Sequence, residues 1–447
     1  MSPGPELEVV GGGLAGCEAA WRAAQAGRRV RLWEMKPGRF SPAHRRPGLA
    51  ELVCSNSFRA DRPENAVGLL KEEMRRLSSL IMRVAEQTRV PAGGALAVDR
   101  ELFSREVTRL IEAHPLIELR REELTAWPEG PAPVLVAGGP LASEALTDLL
   151  AGLAGAPQLH FYDALAPIVS RDSLDLSGIY QANRYGKGEG DYLNCPLNKA
   201  DFDLFLQALL EADQAPARDF EDRNFFEGCL PIEVMARRGP RTLTFGPMKP
   251  VGLENPADGR RPYAVVQLRR ENQAGTLWNM VGFQTRLTRP AQDRVFRLIP
   301  GLESAEFARY GAIHRNSYLD APRVLDDYQR IRGAERFFVA GQLSGVEGYV
   351  ESAAQGLWAA ENALRTLGSR PLLRPPDSTA LGALLGHLRP DEARKNFGPS
   401  NVNFGLFRPP PPDTPKARRT ERLLAAARMD FGFFLKANQI EGEYHHA

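Results

Sequence analysis

Cysteine is scarce: the 447 residues hold four, Cys17, Cys54, Cys195 and Cys229, and none is spaced as a CxxC pair. That spacing argues against a zinc site, a dithiol redox pair or a disulfide framework, so no metal is expected. Long apolar runs are also lacking. No segment approaches the ~20 residues that span a bilayer, and Glu6 and Glu8 interrupt the apolar core that a secretory leader needs. The expectation is a cytoplasmic protein with no membrane partner. Walker-type phosphate loops, Ser/His/Asp series and internal repeats are not visible either. What is present, 43% hydrophobic and 25% charged residues, is ordinary globular composition, enough for roughly two to three domains' worth of core.

Glycine is concentrated at the start of the chain. Residues 7 to 34 read as a strand, a glycine turn, a helix and a second strand ending on Glu34. In such a unit Gly11 allows the tight turn and Gly13 lets backbone approach a pyrophosphate. Gly16 lets the helix pack on the strand, and the phosphates sit at the helix N-terminus. The turn Gly11, Gly12, Gly13, Leu14, Ala15, Gly16 is therefore a candidate dinucleotide site. Glu34, 18 residues beyond Gly16, is placed to accept ribose hydroxyls. An acid there favours FAD or NAD over NADP.

The net charge of +2 hides an uneven distribution. Between 237 and 297 there are twelve Lys or Arg against four acids, a surplus of eight that suits a phosphate backbone as well as it suits a solvated face. Arg237, Arg238, Arg241 and Lys249 open that stretch. Lys416, Arg418, Arg419 and Arg422 form a second cluster at the start of the last expected helix, where cations oppose the helix dipole and invite a partner.

Along the chain, a long loop at 37 to 63 contains Cys54 and precedes a charged amphipathic helix from about Asn65 to Arg89. A helix from Arg100 to Ala113 and strands near 115 to 120 and at Val134 follow. The glycine turn after Val134 lacks a third glycine and is not read as a second dinucleotide site. From 181 to 330 short strands broken by Gly and Pro, including Arg241 to Phe245 and Tyr263 to Leu268, indicate an inserted α+β domain. A buried strand, Phe337 to Ala340, then runs into Gly341 and a helix beginning near Glu351. Pro409 to Pro412 form a stiff linker before a final helix, with Thr414 as its N-cap and Pro415 at its first position. The expected layout is 1–180 and 331–447 as two parts of one Rossmann domain, with 181–330 inserted between them.

The late strand and helix resemble those that close the FAD site in flavoproteins of the glutathione-reductase type, which implicates Gly341, Gln342, Gly348, Tyr349 and Glu351 in cofactor binding. Longer segments carry a closer resemblance: Pro42 to His44, Ala50 to Ser57, Asn65 to Leu77, Val90 to Arg100, Phe226 to Glu233, Phe245 to Leu253, Gly341 to Ser352 and Phe397 to Gly405. Over nearly its whole length the chain resembles the bacterial folate- and FAD-dependent tRNA (uracil-5-)-methyltransferases. Phe58 and Ser400 depart from the pattern, away from the implied chemistry.

That resemblance implies methylation of carbon 5 of a T-loop uridine in tRNA, with 5,10-methylenetetrahydrofolate as carbon donor, FAD as electron carrier and NADPH or NADH as its reductant. Uracil carbon 5 becomes nucleophilic once a thiolate adds at carbon 6, and a base must later remove the carbon 5 proton. By similarity Cys229 is the nucleophile and Cys54 the base, although the residues themselves leave the two roles interchangeable. Cys17 and Cys195 read as buried packing residues. His314 is implicated in stacking on the folate pterin, and Arg286 in binding the folate. Arg237, Arg238, Arg241, Lys249, Lys416, Arg418 and Arg419 are the candidate contacts to the tRNA T arm. The assembly state is left open, a monomer sufficing. Two alternatives share parts of the pattern. A wobble-uridine carboxymethylaminomethyl-modifying flavoprotein should lack the Cys54 and Phe226 segments, and a flavin NAD(P)H oxidoreductase without RNA should carry a second glycine fingerprint.

Overall fold

The computed structural model describes residues 4–155, 159–186, 189–215, 230–390 and 397–440. Its first core is built on a six-stranded sheet in the order Arg330–Ile331, Ala334–Val339, Val134–Val136, Leu7–Val10, Val30–Trp33, Ile117–Arg120. The central strands are parallel, and Leu7–Val10 and Val134–Val136 are apolar or buried at every position because helices cover both faces. The helix Leu14–Gln25 is buried along almost its whole length between this sheet and the helix Tyr349–Leu367. These two helices approach until a Cβ added at Gly356 would lie 2.0 Å from the Ala15 carbonyl oxygen. The N-terminal and C-terminal parts of the chain thus form one doubly covered Rossmann-type unit.

A second, antiparallel sheet runs in the order Tyr180–Gln181, Tyr192–Leu197, Ala264–Arg270, Leu277–Met280, Ile168–Ser170, Phe307–Arg309. It has its own core around Phe202, Phe205, Trp278, Phe283 and Phe296. A two-stranded ribbon, Leu159–Ala164 paired with Ile313–Tyr318, joins the two units. The inserted unit therefore includes Ile168–Ser170 and ends near Phe307–Arg309, whereas the expected limits were 181 and 330. Leu319, Val324 and Leu325, placed by sequence in the insertion, pack in the first core instead.

Other expectations need correction at the level of single elements. The single helix expected from Asn65 to Arg89 is two, Ala66–Arg76 and Leu80–Gln87. Ser78 adopts φ 58°, and the buried carboxylate of Glu18 accepts from Leu80 N–H, Ile81 N–H and Ser79 Oγ, fixing a new helix start. The loop at 37 to 63 ends in a strand, Ser57–Ala60, paired with Ala95–Val98. Arg241 to Phe245 is not a strand: Thr242–Phe245 is a short helix with only Leu243 buried. The last helix begins at Arg419 after a 3-10 turn, Lys416–Arg418, and has no side-chain cap. Thr414 instead accepts from Arg419 Nε and Arg422 Nη1. The late helix starts at Tyr349, two residues before the expected Glu351. Among the described residues no helix is long and apolar enough to cross a membrane.

The close approach of Leu14–Gln25 and Tyr349–Leu367 is testable. Gly356→Ala should force the helices apart at a cost on the order of 2–3 kcal/mol, lowering the melting temperature by several degrees. An unchanged thermal melt would contradict the packing described.

Candidate active site

Each glycine of the first turn has a distinct geometric duty. Gly11 has φ 105°, with the position of a Cβ 2.4 Å from the Ala137 carbonyl oxygen, and a Cβ on Gly16 would sit 1.7 Å from the Gly11 carbonyl oxygen. Gly13 has nothing within 4 Å of its Cβ position and faces a cleft. That cleft, with about 1120 Å³ of non-protein space partly open to solvent, is also lined by Gly12, Leu14, Ala15, Glu34, Gly341, Gln342 and Tyr349. The helix Leu14–Gln25 has neither a side-chain cap nor an acid in its first turn, so its leading N–H groups are free to meet an anion. The Glu34 carboxylate is held at the cleft by N–H groups of Gly12 (2.8 Å) and Lys36 (2.9 Å).

Sequence reading missed one wall of this cleft. The turn Gly138 to Ser143, after the strand Val134–Val136, lines it, as do Lys36, His44 and Glu51. The available signal was adjacency: a parallel strand next to Leu7–Val10 ends at the same sheet edge, where α/β sheets bind ligands. Of the expected cofactor contacts, Gly16, Gly348 and Glu351 do not line the cleft. Glu351 is buried, pairs with Arg59 and accepts from Val402 N–H at 2.9 Å.

A second cavity, of about 1510 Å³, lies beyond the segment Glu51 to Val53, while Cys54 itself lines neither cavity. Glu51 lines both cavities, Val53 the first and Leu52 the second. Arg45, Arg46, Arg100, Arg289, Arg309 and His314 line the second cavity. The Cys54 and Ser55 N–H groups donate to Tyr349 Oη at 2.8 and 3.1 Å. Arg100 donates to the Leu52 carbonyl at 2.6 Å and Arg309 to that of Val53, so the backbone around the thiol is held from both sides. Arg100, Arg269 and Arg309 all lie within electrostatic reach of the Cys54 sulfur.

The electrostatics of this wall follow from burial. Desolvation, with Arg100 second, brings Arg309 down to about 10. Burial, and then the Cys54 sulfur, pushes the Tyr349 phenol up, so it stays protonated. His44 is lowered to about 4 by burial and then by Lys36, with His314 adding to the effect and Glu51 opposing it. His314 is lowered by burial, Arg309 and Arg45. Both imidazoles are therefore neutral near pH 7.

The remaining expected residues separate in space. Cys229 lies outside the described residues. The chain leaves the described region at Ala215, whose N–H donates to the Arg286 carbonyl, and re-enters near Ile232, whose N–H donates to the Gln284 carbonyl. Arg286 lines neither cavity: its Nε donates to Gln214 at 2.6 Å and its N–H to Glu233 at 2.8 Å. Arg237, Arg238 and Arg241 are exposed on the inserted unit, with Lys249 half-buried beside them. Lys416, Arg418 and Arg419 are exposed on the first unit. Cys17 and Cys195 are wholly buried, and burial pushes both thiols up.

Residues 6–371 match the family model described as glucose inhibited division protein A. Among curated proteins, the methylenetetrahydrofolate–tRNA-(uracil-5-)-methyltransferase TrmFO of Geobacter sulfurreducens is 57% identical over 431 residues, covering 96% of this chain and 98% of the relative. The enzyme of the same name from Moorella thermoacetica is 56% identical over 94% of this chain and 96% of its own. That of Anaeromyxobacter sp. strain Fw109-5 is 59% identical over 90% of each. Among solved structures, Aquifex aeolicus GidA in its form I crystal superposes with a TM-score of 0.66 at 16% identity, covering 99% of this chain and 78% of that one, a likeness of fold.

Two measurements check this geometry. In a Cys229→Ala background, native-state alkylation should modify Cys54 while sparing Cys17 and Cys195 until the protein unfolds; comparable rates at all three would contradict the burial described. The lowered His44 also gives a pH signature. The unfolded chain takes up that proton near a histidine's ordinary 6.5, but the folded chain only near 4. The unfolded state therefore binds more protons in between, and this contribution to stability is lost as pH falls through that window. His44→Gln should flatten that part of the stability profile, and an unchanged profile would contradict a neutral, half-buried His44.

Proposed function

The chain belongs to the family of methylenetetrahydrofolate–tRNA-(uracil-5-)-methyltransferases, and from that premise we propose how its two cavities divide the reaction. It transfers the methylene carbon of 5,10-methylenetetrahydrofolate to carbon 5 of a tRNA uridine and reduces it to methyl, giving 5-methyluridine. The uridine is assigned to the T loop. The first cleft takes FAD. The open space at Gly13, the unblocked N-terminus of Leu14–Gln25 and the acceptor Glu34 suit a pyrophosphate and a ribose, while Gly341, Gln342 and Tyr349 lie at the opposite side. FAD, when bound and reduced by NADPH or NADH, would supply the hydride that takes the methylene to methyl.

The second cavity takes the folate and the extruded uracil. His314, kept neutral, offers a flat ring for the pterin, and Arg45, Arg46 and Arg289 suit the carboxylates of the folate tail. Cys229 adds to uracil carbon 6, activating carbon 5 toward the methylene; Cys54 removes the carbon 5 proton as the bond from the methylene to the folate nitrogen breaks, and reduction of the resulting exocyclic methylene releases the Cys229 thiolate. Negative charge that develops on the uracil carbonyl oxygen during addition meets Arg100 and Arg309, which line this cavity. Arg286, tied to Gln214 and Glu233, holds the ends of the segment carrying Cys229 and is assigned that positioning role instead of folate binding. The exposed cations at Arg237, Arg238, Arg241 and Lys249, and at Lys416, Arg418 and Arg419, meet tRNA phosphates. The observation that carries this assignment is the Glu51 to Val53 segment, one strip of chain lying between the two cavities and lining both, with Cys54 next in the chain.

The test is incubation of unmodified tRNA with methylene-labelled folate, NADPH and enzyme, followed by nucleoside analysis. Label is expected in 5-methyluridine. Cys229→Ala and Cys54→Ala should each lower the rate by at least about 10²-fold, with flavin content unchanged. Labelled carboxymethylaminomethyluridine, or flavin turnover without RNA modification, would contradict the assignment.

A further inference from the structure

Phe245 belongs to a segment, Phe245 to Leu253, to which the chemistry above gives no role beyond Lys249. Its ring is 70% exposed, the largest exposure among the described large apolar side chains. The Arg241 guanidinium lies 5.4 Å from the ring centroid and covers one face. From residue 234 to residue 253 there are four cations, Arg237, Arg238, Arg241 and Lys249, and no acid.

This exposure is held in place. Directly after the ring the backbone is pinned: the Met248 N–H donates to the Leu243 carbonyl at 2.9 Å, and the Met248 carbonyl accepts from Val265 N–H at 3.1 Å. The Met248 side chain is fully buried. Pro247 packs so closely on Gly282 that a Cβ there would lie 2.6 Å from the Pro247 Cβ. Arg184 donates to the Lys249 carbonyl at 3.0 Å and to that of Val251. The ring thus projects from a pedestal anchored on the central strand Ala264–Arg270 of the inserted unit.

We propose that Phe245 is a stacking platform for one unpaired base of the RNA substrate, the base lying on the ring face opposite Arg241. A protein partner covering this lone ring would have to desolvate the surrounding cations. An unpaired nucleotide brings a π-face for the ring and a phosphate for the cations together, the combination used at single-stranded nucleic-acid sites. The platform rests on the proposed tRNA substrate and adds a contact to it remote from the methyl-transfer chemistry.

Fluorescence anisotropy with a labelled T-arm RNA tests it. Phe245→Ala and Phe245→Leu should each weaken binding by on the order of tenfold, with the slope of log affinity against log salt unchanged. Arg237→Ala should instead make that slope shallower by about one. Phe245→Trp should keep the parent affinity, and its added emission should be quenched as RNA saturates the protein. Parent-like binding by the Ala or Leu variant, or indole emission added by Phe245→Trp that saturating RNA leaves unchanged, overturns the platform while leaving the RNA substrate in place. Failure of the parent to bind the RNA at all overturns the substrate assignment itself, and the platform with it.

Discussion

The hydrogen bond from Arg269 Nε to Asn56 Oδ1, 3.1 Å long and buried, ties the inserted unit to the Rossmann unit two residues from Cys54. The Asn56 amide group donates in turn to the carbonyls of Val98 (2.9 Å) and Arg270 (2.8 Å), while Arg269 also donates to Ser55 Oγ at 2.8 Å. Beside them Arg100 pairs with Glu271 at 2.5 Å across the same junction. Buried ionic groups of this kind add little net stability over apolar packing, but removing one partner strands a charge at a cost of about 3–5 kcal/mol. Their effect is geometric. The chain from Glu51 to Ser55 has one placement, and both cavities take their shape from it.

The same junction explains a charge pattern that composition alone does not show. Arg100, Arg269 and Arg309 are brought together from three distant segments, with Glu271 as their near acid. Mutual repulsion and burial are offset by carbonyl oxygens of the Cys54 loop, which accept from Arg100 and Arg309. Burial first, and then Arg309 of this cluster together with Arg45, lowers the neighbouring His314, so it presents an aromatic face instead of another cation to the second cavity.

The Rossmann turn was legible because Gly11 and Gly16 answer steric demands that no other residue meets, with Gly13 leaving the cleft open between them at fixed spacing. The helix Arg100–Ala113 was readable to the residue from its apolar period, and the Asp99 cap fixes its start. Where several short elements compete, pattern was a poorer guide. Thr-Leu-Thr-Phe alternates like a strand, yet it closes a helical turn with Phe245 in water. The break at Ser78 depends on Glu18, sixty positions away, which no local signal reveals. The domain limits shifted because Ile168–Ser170 is only three residues long and pairs with strands that follow it by a hundred positions. At the site, motif resemblance singled out Cys54 and His314, but the cavity that gathers His314 with Arg100, Arg289 and Arg309 beyond the Cys54 loop is a product of tertiary folding. Arg286 shows the converse: a basic residue near the right segment whose partners, Gln214 and Glu233, were invisible until the chain was folded.

The cleft proposed for FAD draws one side from Gly11 to Ala15 and another from Gly341, Gln342 and Tyr349, 330 positions later. During synthesis the glycine turn leaves the ribosome first but has no opposite side until the helix Tyr349–Leu367 emerges and packs on Leu14–Gln25. The inserted unit, with its separate core, is complete before then and can fold ahead of the unit that surrounds it. Completion of this cleft is thus a closing event in the biogenesis of the molecule, and a nascent chain arrested within the insertion lacks the side formed by Gly341, Gln342 and Tyr349.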